Sequence, residues 1–390
     1  MQYDAISYIN VRIPMRDGVE LAADLYLPPD GAATPRGTVL GFSPYLVTST
    51  RCDNSLIWVR RGFAGLRVDC RGRGKSGGSF VPWATDIDDA WDLLEWISRQ
   101  PWSNGRVAMV GGSYPAVTQI CALASGHPAL VATAPSAITA DPYSHYYTGG
   151  AQELSFKMSW HIGIAGTPKT PFTGNTRPDF AAARRHLPLV EMAGAAGFDC
   201  PSWEEIASND WYNAYWRKKG DLRDLDRSRA GIFYQGSWYD LLGEKVFETF
   251  ARFMEGVDPT DTTSNRRFTC LRVGPWGHGV NTPEGEYNFG RHSLVTEDAE
   301  IDFLTALLNG GTPQTASAPA PIQIFVMGRN VWRYEQEWPL ARTRYTPLYL
   351  TGGGKANTAA GDGRLSWEAP TGDEPADRFT YDPANPVPTC

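Results

Sequence analysis

Six short apolar runs recur between residues 38 and 274: TVLGF (38–42), FAGLRVD (63–69), RVAMVGG (106–112), LVATAPS (130–136), GIFYQG (231–236) and FTCLRVG (268–274). Between them lie longer amphipathic or polar stretches. Runs of this length, bounded by turn residues, suit strands covered on both faces. Such strands lie parallel and are joined by crossover helices. The alternation therefore predicts an α/β chain built on a mostly parallel sheet. The clearest crossover helix is DIDDAWDLLEWISRQ (86–100). It sets Ile87, Ala90, Trp91, Leu94 and Ile97 on one face, with Asp86, Asp88 and Asp89 at the N-terminal end, where the helix dipole favours negative charge.

Three segments depart from this rhythm. YINVRIPMRDGVELAADLYLP (8–28) places two β-rich runs around Asp17-Gly18, a turn pair suited to positive φ, and predicts an antiparallel hairpin ahead of the parallel strands. Between about 141 and 225, Trp160, Trp203, Trp211 and Trp216 sit among charged, helix-prone residues with no strand run, which reads as a helical cap inserted into the core. Past NGGTPQTASAPAPIQ (309–323), the runs IQIFVMG (322–328) and PLYLT (347–351) lie between Gly- and Pro-rich turns, as in an all-β unit. The expected division is 1–140 with 226–312 for the core, 141–225 for the cap and 313–390 for the β unit. A chain of 390 residues is long enough for more than one such unit.

The balance of 36 basic and 43 acidic side chains, a net charge of −7 with no basic block, lacks the footprint of a nucleic-acid binder. No apolar run approaches the ~20 residues of a membrane helix, and Met1 opens onto a polar stretch without the regions of an export signal. Cys52, Cys70, Cys121, Cys200, Cys270 and Cys390 show no metal-binding spacing and fit reduced thiols. The expectation is a cytoplasmic protein acting on a small ester, amide or short peptide. It would have no nucleic-acid or membrane partner and no metal site, with homo-oligomerisation left open.

GGSYPAVTQ (111–119) places Ser113 between an apolar strand ending in Gly111-Gly112 and a helix candidate, the context of a nucleophile turn. Pro115 replaces the glycine of G-x-S-x-G. It suits the first turn of a helix, where N–H groups have no intrahelical partner. The residue after the serine is Tyr114, whose backbone N–H remains available as an oxyanion donor. A Gly-Gly-Ser turn ahead of a helix is also an ordinary N-cap, so the reading needs partners.

A serine hydroxyl attacks only when a histidine takes its proton and a carboxylate orients that histidine. Asp240 in YQGSWYD follows the strand at 231–236, and His278 in VGPWGHG follows the strand at 268–274. Serine, acid, histidine is the chain order of α/β-hydrolases. Asp240 also has a plainer reading, as a cap for the helix candidate at 241–250. His127, His145, His161, His186 and His292 fit less well and read as structural. DCRGRGKSGG (69–78) is not a phosphate loop, because Asp69 stands where the first glycine of that motif belongs; it reads as a scaffolding loop in which Arg71 pairs with Asp69.

These motifs, with MRDGVELAADLYLP, SPY (43–45) and IFVMGRNVW (324–332), resemble the family of cocaine esterase, α-amino-acid ester hydrolases and X-prolyl dipeptidyl peptidases, over essentially the whole chain. The resemblance implies an α/β-hydrolase core, a helical cap and a C-terminal jelly-roll β domain. It implies that the Tyr45 hydroxyl is a second oxyanion donor beside the Tyr114 N–H, and that Trp160, in GGAQELSFKMSWHIG (149–163), lines the acyl pocket. Family members often carry glycine where this chain has Ala116. They also extend well beyond DPANPVPT (382–389), so the chain is expected to hold only the opening strands of the jelly roll.

The function expected is that of a serine hydrolase of acyl esters or amides. His278 deprotonates Ser113, Asp240 orients His278, an acyl-enzyme forms and water releases the acid, with no cofactor. The alternatives are an X-Pro dipeptidyl-peptidase-like aminopeptidase, with Glu153 and Asp141 as candidates for holding an α-ammonium, and an inactive truncated homologue.

Overall fold

All six apolar runs become strands of one ten-stranded sheet in the computed structural model, which describes residues 5–45, 53–169, 180–219, 222–282, 286–314, 320–382 and 385. The strands are β1 (Ile6–Pro14), β2 (Glu20–Leu27), β3 (Arg36–Ser43), β4 (Ala64–Asp69), β5 (Ser103–Gly112), β6 (Leu130–Ser136), β7 (Gly231–Ser237), β8 (Cys270–Gly274), β9 (Ile322–Val326) and β10 (Val331–Glu335). Their spatial order is β1-β2-β4-β3-β5-β6-β7-β8-β9-β10. From β4 to β9 every neighbouring pair is parallel. β1 and β2 form the expected antiparallel hairpin around Asp17-Gly18, with Gly18 at φ 84°.

Helices cover both faces: α1 (Asp53–Val59), α2 (Asp86–Ser98), α3 (Tyr114–Ser125), α5 (Val246–Met254) and α6 (Asp298–Leu308), while α4 (Leu154–Ala165) belongs to the inserted segment. The order of strands, helices and insertion is that of an α/β-hydrolase core with a helical cap. α3 is buried along nearly its whole length, as a central helix under a parallel sheet must be.

The buried face of α2 differs from the sequence expectation. Leu93 is fully buried and Trp91 is 37% exposed, while Asp86 and Asp89 at the N-terminal end are both buried. Partners explain the rotation. Arg71 donates to both oxygens of Asp89 at 2.6 and 3.0 Å and to Asp17 at 2.7 Å, and Asp86 accepts from Tyr114. A carboxylate so paired can be buried. Arg71 therefore spans Asp17 and Asp89 rather than pairing with Asp69.

Among the described residues between 141 and 225, short helices share a small core, in which Met158 and Ile162 of α4 pack with Met192, Cys200 and Trp203. Trp203 and Trp216 are buried and Trp211 is exposed. Residues 322–326, where the sequence reading begins a β unit, pair in parallel with β8 and extend the core sheet, and 331–335 follow in antiparallel. Among the described residues beyond 335, the ladder formed is two-stranded, Tyr349–Thr351 with Arg364–Ser366, and a jelly roll is not seen. Residues 315–319 of the linker lie outside the described residues. Among the described residues, no helix is long and apolar enough to cross a membrane. Cys70, Cys121, Cys200 and Cys270 are buried free thiols, and Cys52 and Cys390 lie outside the described residues.

Candidate active site

The turn between β5 and α3 holds Ser113 at φ 62° and ψ −131°, a conformation a residue with a Cβ rarely adopts. A Cβ on either of its two glycines would crowd a neighbour, and Gly111 also has a positive φ. A Cβ on Gly111, at φ 130°, would stand 2.5 Å from Pro115 Cβ, and one on Gly112 would stand 2.7 Å from Ser136 Oγ. Ser113 N–H donates to Ser136 O at 3.0 Å, and Ser113 O accepts the Ala116 N–H at 2.8 Å, tying the bend to β6 and to the helix it starts. Pro115 falls in the first turn of α3, as expected.

Asp240 and His278 arrive from the ends of β7 and β8. Trp238 N–H donates to Gly274 O and Tyr239 N–H to Trp276 O, so the two strand-end loops zip together beyond the sheet. His278 Nδ1 lies 3.0 Å from Asp240 Oδ1, and His278 Nε2 lies 3.0 Å from Ser113 Oγ. Asp240 Oδ1 also accepts the Leu242 N–H at 2.9 Å, so the capping role coexists with the histidine contact. The Asp240 side chain is almost wholly buried, while His278 keeps 30% exposure.

Tyr45 and Trp160 complete a line of contacts. Trp160 Nε1, which can only donate, lies 3.1 Å from the Tyr45 hydroxyl oxygen, and that oxygen is 3.2 Å from Ser113 Oγ. The Tyr45 oxygen accepts from tryptophan and its proton can point toward Ser113 or an oxygen bound there. The Trp160 ring stacks on the Tyr114 ring at 5.6 Å, and Phe80 packs edge-on against both. Arg73 donates to Pro44 O at 2.9 Å and to Ile164 O, clamping the loop that carries Tyr45 to the end of α4. Tyr114 is the first residue of α3, where a backbone N–H has no intrahelical acceptor.

This arrangement holds a hydroxyl, an imidazole and a carboxylate in series, with a phenol and a main-chain N–H beside the hydroxyl. It can take a proton from an attacking serine and donate to an oxyanion. Of the other five histidines, three have partners outside this arrangement: His127 faces Glu95, His186 faces Glu191 and His161 faces Ser202. Asp141 accepts from the Tyr143 and Ser144 N–H groups, and Glu153 meets Thr148 and Lys157. Sequence reading missed Arg73, Phe80, Phe156 and the buried residues behind α4. The available signal was the i, i+4 spacing of Phe156 with Trp160 and of Lys157 with His161.

Tyr114 is itself held by Asp86. Its hydroxyl donates to Asp86 Oδ2 at 2.8 Å, and the Trp83 N–H donates to the same oxygen at 3.0 Å. Burial nevertheless pushes the Asp86 carboxyl up to about 6 from 3.8, with those donors holding it back. As pH rises through this window, the folded chain retains a proton the unfolded chain has lost, so Asp86 makes stability fall. Asp86→Asn removes that titration. Its stability relative to wild type is expected to rise by roughly 2–3 kcal/mol between about pH 4 and about pH 8 in denaturant unfolding. A pH-independent difference would contradict this.

Residues 17–280 match the X-Pro dipeptidyl-peptidase (S15) family. The cocaine esterase of Rhodococcus sp. (strain MB1 Bresler) is 34% identical over 406 residues, covering 97% of this chain and 68% of that protein. Among solved structures, an aminopeptidase from a marine sediment Thaumarchaeota archaeon superposes with a TM-score of 0.77 at 22% identity. An α-amino acid ester hydrolase superposes with a TM-score of 0.71 at 24% identity. Each of these two alignments covers 99% of this chain and 66% of the other. The chain thus spans about two thirds of the length of these relatives, and the two structures speak to the fold alone.

Proposed function

The chain belongs to the X-Pro dipeptidyl-peptidase (S15) family of serine hydrolases, and we propose that it cleaves acyl esters, and secondarily amides, through an acyl-enzyme on Ser113. His278 Nε2 takes the Ser113 proton as Oγ attacks the carbonyl carbon, and Asp240 stabilises the imidazolium. The Tyr45 hydroxyl and the Tyr114 N–H receive the oxyanion. The protonated His278 releases the leaving group, and water repeats the sequence to free the acid. The observation that carries this reading is the run of contacts from Asp240 through His278 to Ser113 Oγ, 3.0 Å at each step, with Tyr45 3.2 Å beyond. Trp160, stacked on Tyr114 beside that oxygen, forms a wall of the acyl pocket in this reading. Residues 141–225 act as the cap that brings Trp160 over the core.

Ester hydrolysis is favoured over dipeptide release because of where the two carboxylates considered for holding an α-ammonium sit: one is tied into its own turn, and the other stands beside a buried ammonium that repels a second cation. Glu153 pairs with Lys157, and Asp141 closes a local turn. The test compares p-nitrophenyl butyrate with alanyl-prolyl-p-nitroanilide. The ester is expected to have the higher kcat/KM, and preference for the dipeptide anilide would reverse the assignment. In the same assay Tyr45→Phe is expected to lose roughly 10²–10³ in kcat with little change in KM, because its hydrogen bond strengthens as charge develops. A change confined to KM would make Tyr45 a binding residue.

A further inference from the structure

Behind Phe156 and Trp160 on α4 lies a buried group that the steps above do not use. Lys157 is 1% exposed. Its ammonium sits 5.2 Å from the centre of the Phe156 ring and 5.5 Å from that of Tyr146. It has an ion-pair partner, Glu153 Oε2 at 3.5 Å, yet no hydrogen bond satisfies its three N–H donors among the described residues. The Tyr146 hydroxyl, His145 Nδ1 and His161 Nε2 are likewise buried and find no hydrogen-bond partner among the described residues. Tyr146 packs against both imidazoles, at ring distances of 4.9 and 5.5 Å. Burial holds both histidines in the neutral form, His161 down to about 3, so Lys157 carries the positive charge of this cluster.

The cluster borders the reacting groups. The Phe156 ring meets His278 edge-on at 6.3 Å, and Phe156 is 43% exposed, so one accessible side chain stands between the ammonium and His278. One turn along α4, Trp160 touches Tyr45. Lys157 feels the charge of Asp240, and His145 feels that of Lys157. A buried ammonium with one loosely held carboxylate is costly to maintain, and burial lowers its pKa to about 8. Glu153 is partly exposed and its other oxygen accepts from Thr148 Oγ1 at 3.0 Å, so it can swing toward solvent without losing every partner.

We propose that Lys157, behind Phe156 and beside His278, is the anion-binding residue of the site and that the preferred substrates are esters or amides carrying a free carboxylate, which replaces Glu153 at Lys157 while the scissile carbonyl lies at Ser113. The proposal rests on the hydrolase reading above. Exchange of one carboxylate for another keeps the buried ammonium paired while the displaced Glu153 is solvated, and a carboxylate has lone pairs enough to accept from the Tyr146 hydroxyl as well. A substrate ammonium would be repelled at the same place.

Two matched pairs of esters test it on the full chain. p-Nitrophenyl hemiadipate against p-nitrophenyl hexanoate puts the carboxylate on the acyl side; 4-(carboxymethyl)phenyl butyrate against 4-ethylphenyl butyrate puts it on the leaving group. The wild-type chain is expected to favour the carboxylate member of one pair by roughly 30-fold or more in kcat/KM, and that pair identifies the side. Lys157→Met is expected to collapse the ratio toward one. Glu153→Gln, which removes the competing carboxylate, is expected to raise it, and this carries the test if Lys157→Met does not fold. No preference in either pair, survival of the preference in Lys157→Met, or a ratio unchanged or lowered in Glu153→Gln would each overturn the proposal. Failure to hydrolyse the neutral esters would instead overturn the esterase reading.

Discussion

Ser113→Ala is expected to reduce ester turnover by roughly 10⁶ in kcat while leaving the fold intact. The side-chain oxygen touches His278 and Tyr45, and neither contact supports the core. Alanine meets the same backbone demand as serine at φ 62°, since both carry a Cβ. The bonds from Ser113 N–H to Ser136 O and from Ala116 N–H to Ser113 O are main-chain and survive. What disappears is the attacking atom. The unfolding midpoint should therefore stay near that of the wild type while the rate collapses. A variant that retains a tenth of the activity would move the nucleophile elsewhere.

The second large effect concerns the carboxylate. Asp240→Asn is expected to lower kcat by roughly 10⁴. The side-chain oxygen near His278 is also fixed by the Leu242 N–H at 2.9 Å, so asparagine can keep an acceptor in that place. The variant then lacks mainly the negative charge that stabilises the imidazolium formed when His278 takes the serine proton. The comparison separates two accounts of the same residue. If Asp240 only shaped the turn before α5, asparagine would fill that role and the loss would stay below tenfold.

The core and the three residues in series were legible because each lies at the end of an apolar strand run, and the end of a strand in a parallel sheet is where loops converge. Ser113, Asp240 and His278 could therefore be placed without knowing any contact. Residues whose position depends on distant partners were not legible in this way. The face of α2 was misjudged because Asp86 and Asp89 read as polar, and only Tyr114 and Arg71 make their burial tolerable. The pairing of 322–326 with β8 was missed because a short β-rich run looks the same at the edge of one sheet as at the start of another. Lys157 lay in plain sight as a charged residue on a cap helix, where solvation is the ordinary outcome; its burial comes from Tyr146 and Phe156 closing over it.

We propose that the acyl-enzyme forms on Ser113 Oγ. The most direct test is to label the full chain with a fluorophosphonate, digest it and locate the adduct by peptide mass spectrometry. The adduct is expected on Ser113, with labelling abolished in Ser113→Ala. An adduct on another residue, or undiminished labelling of Ser113→Ala, would contradict it.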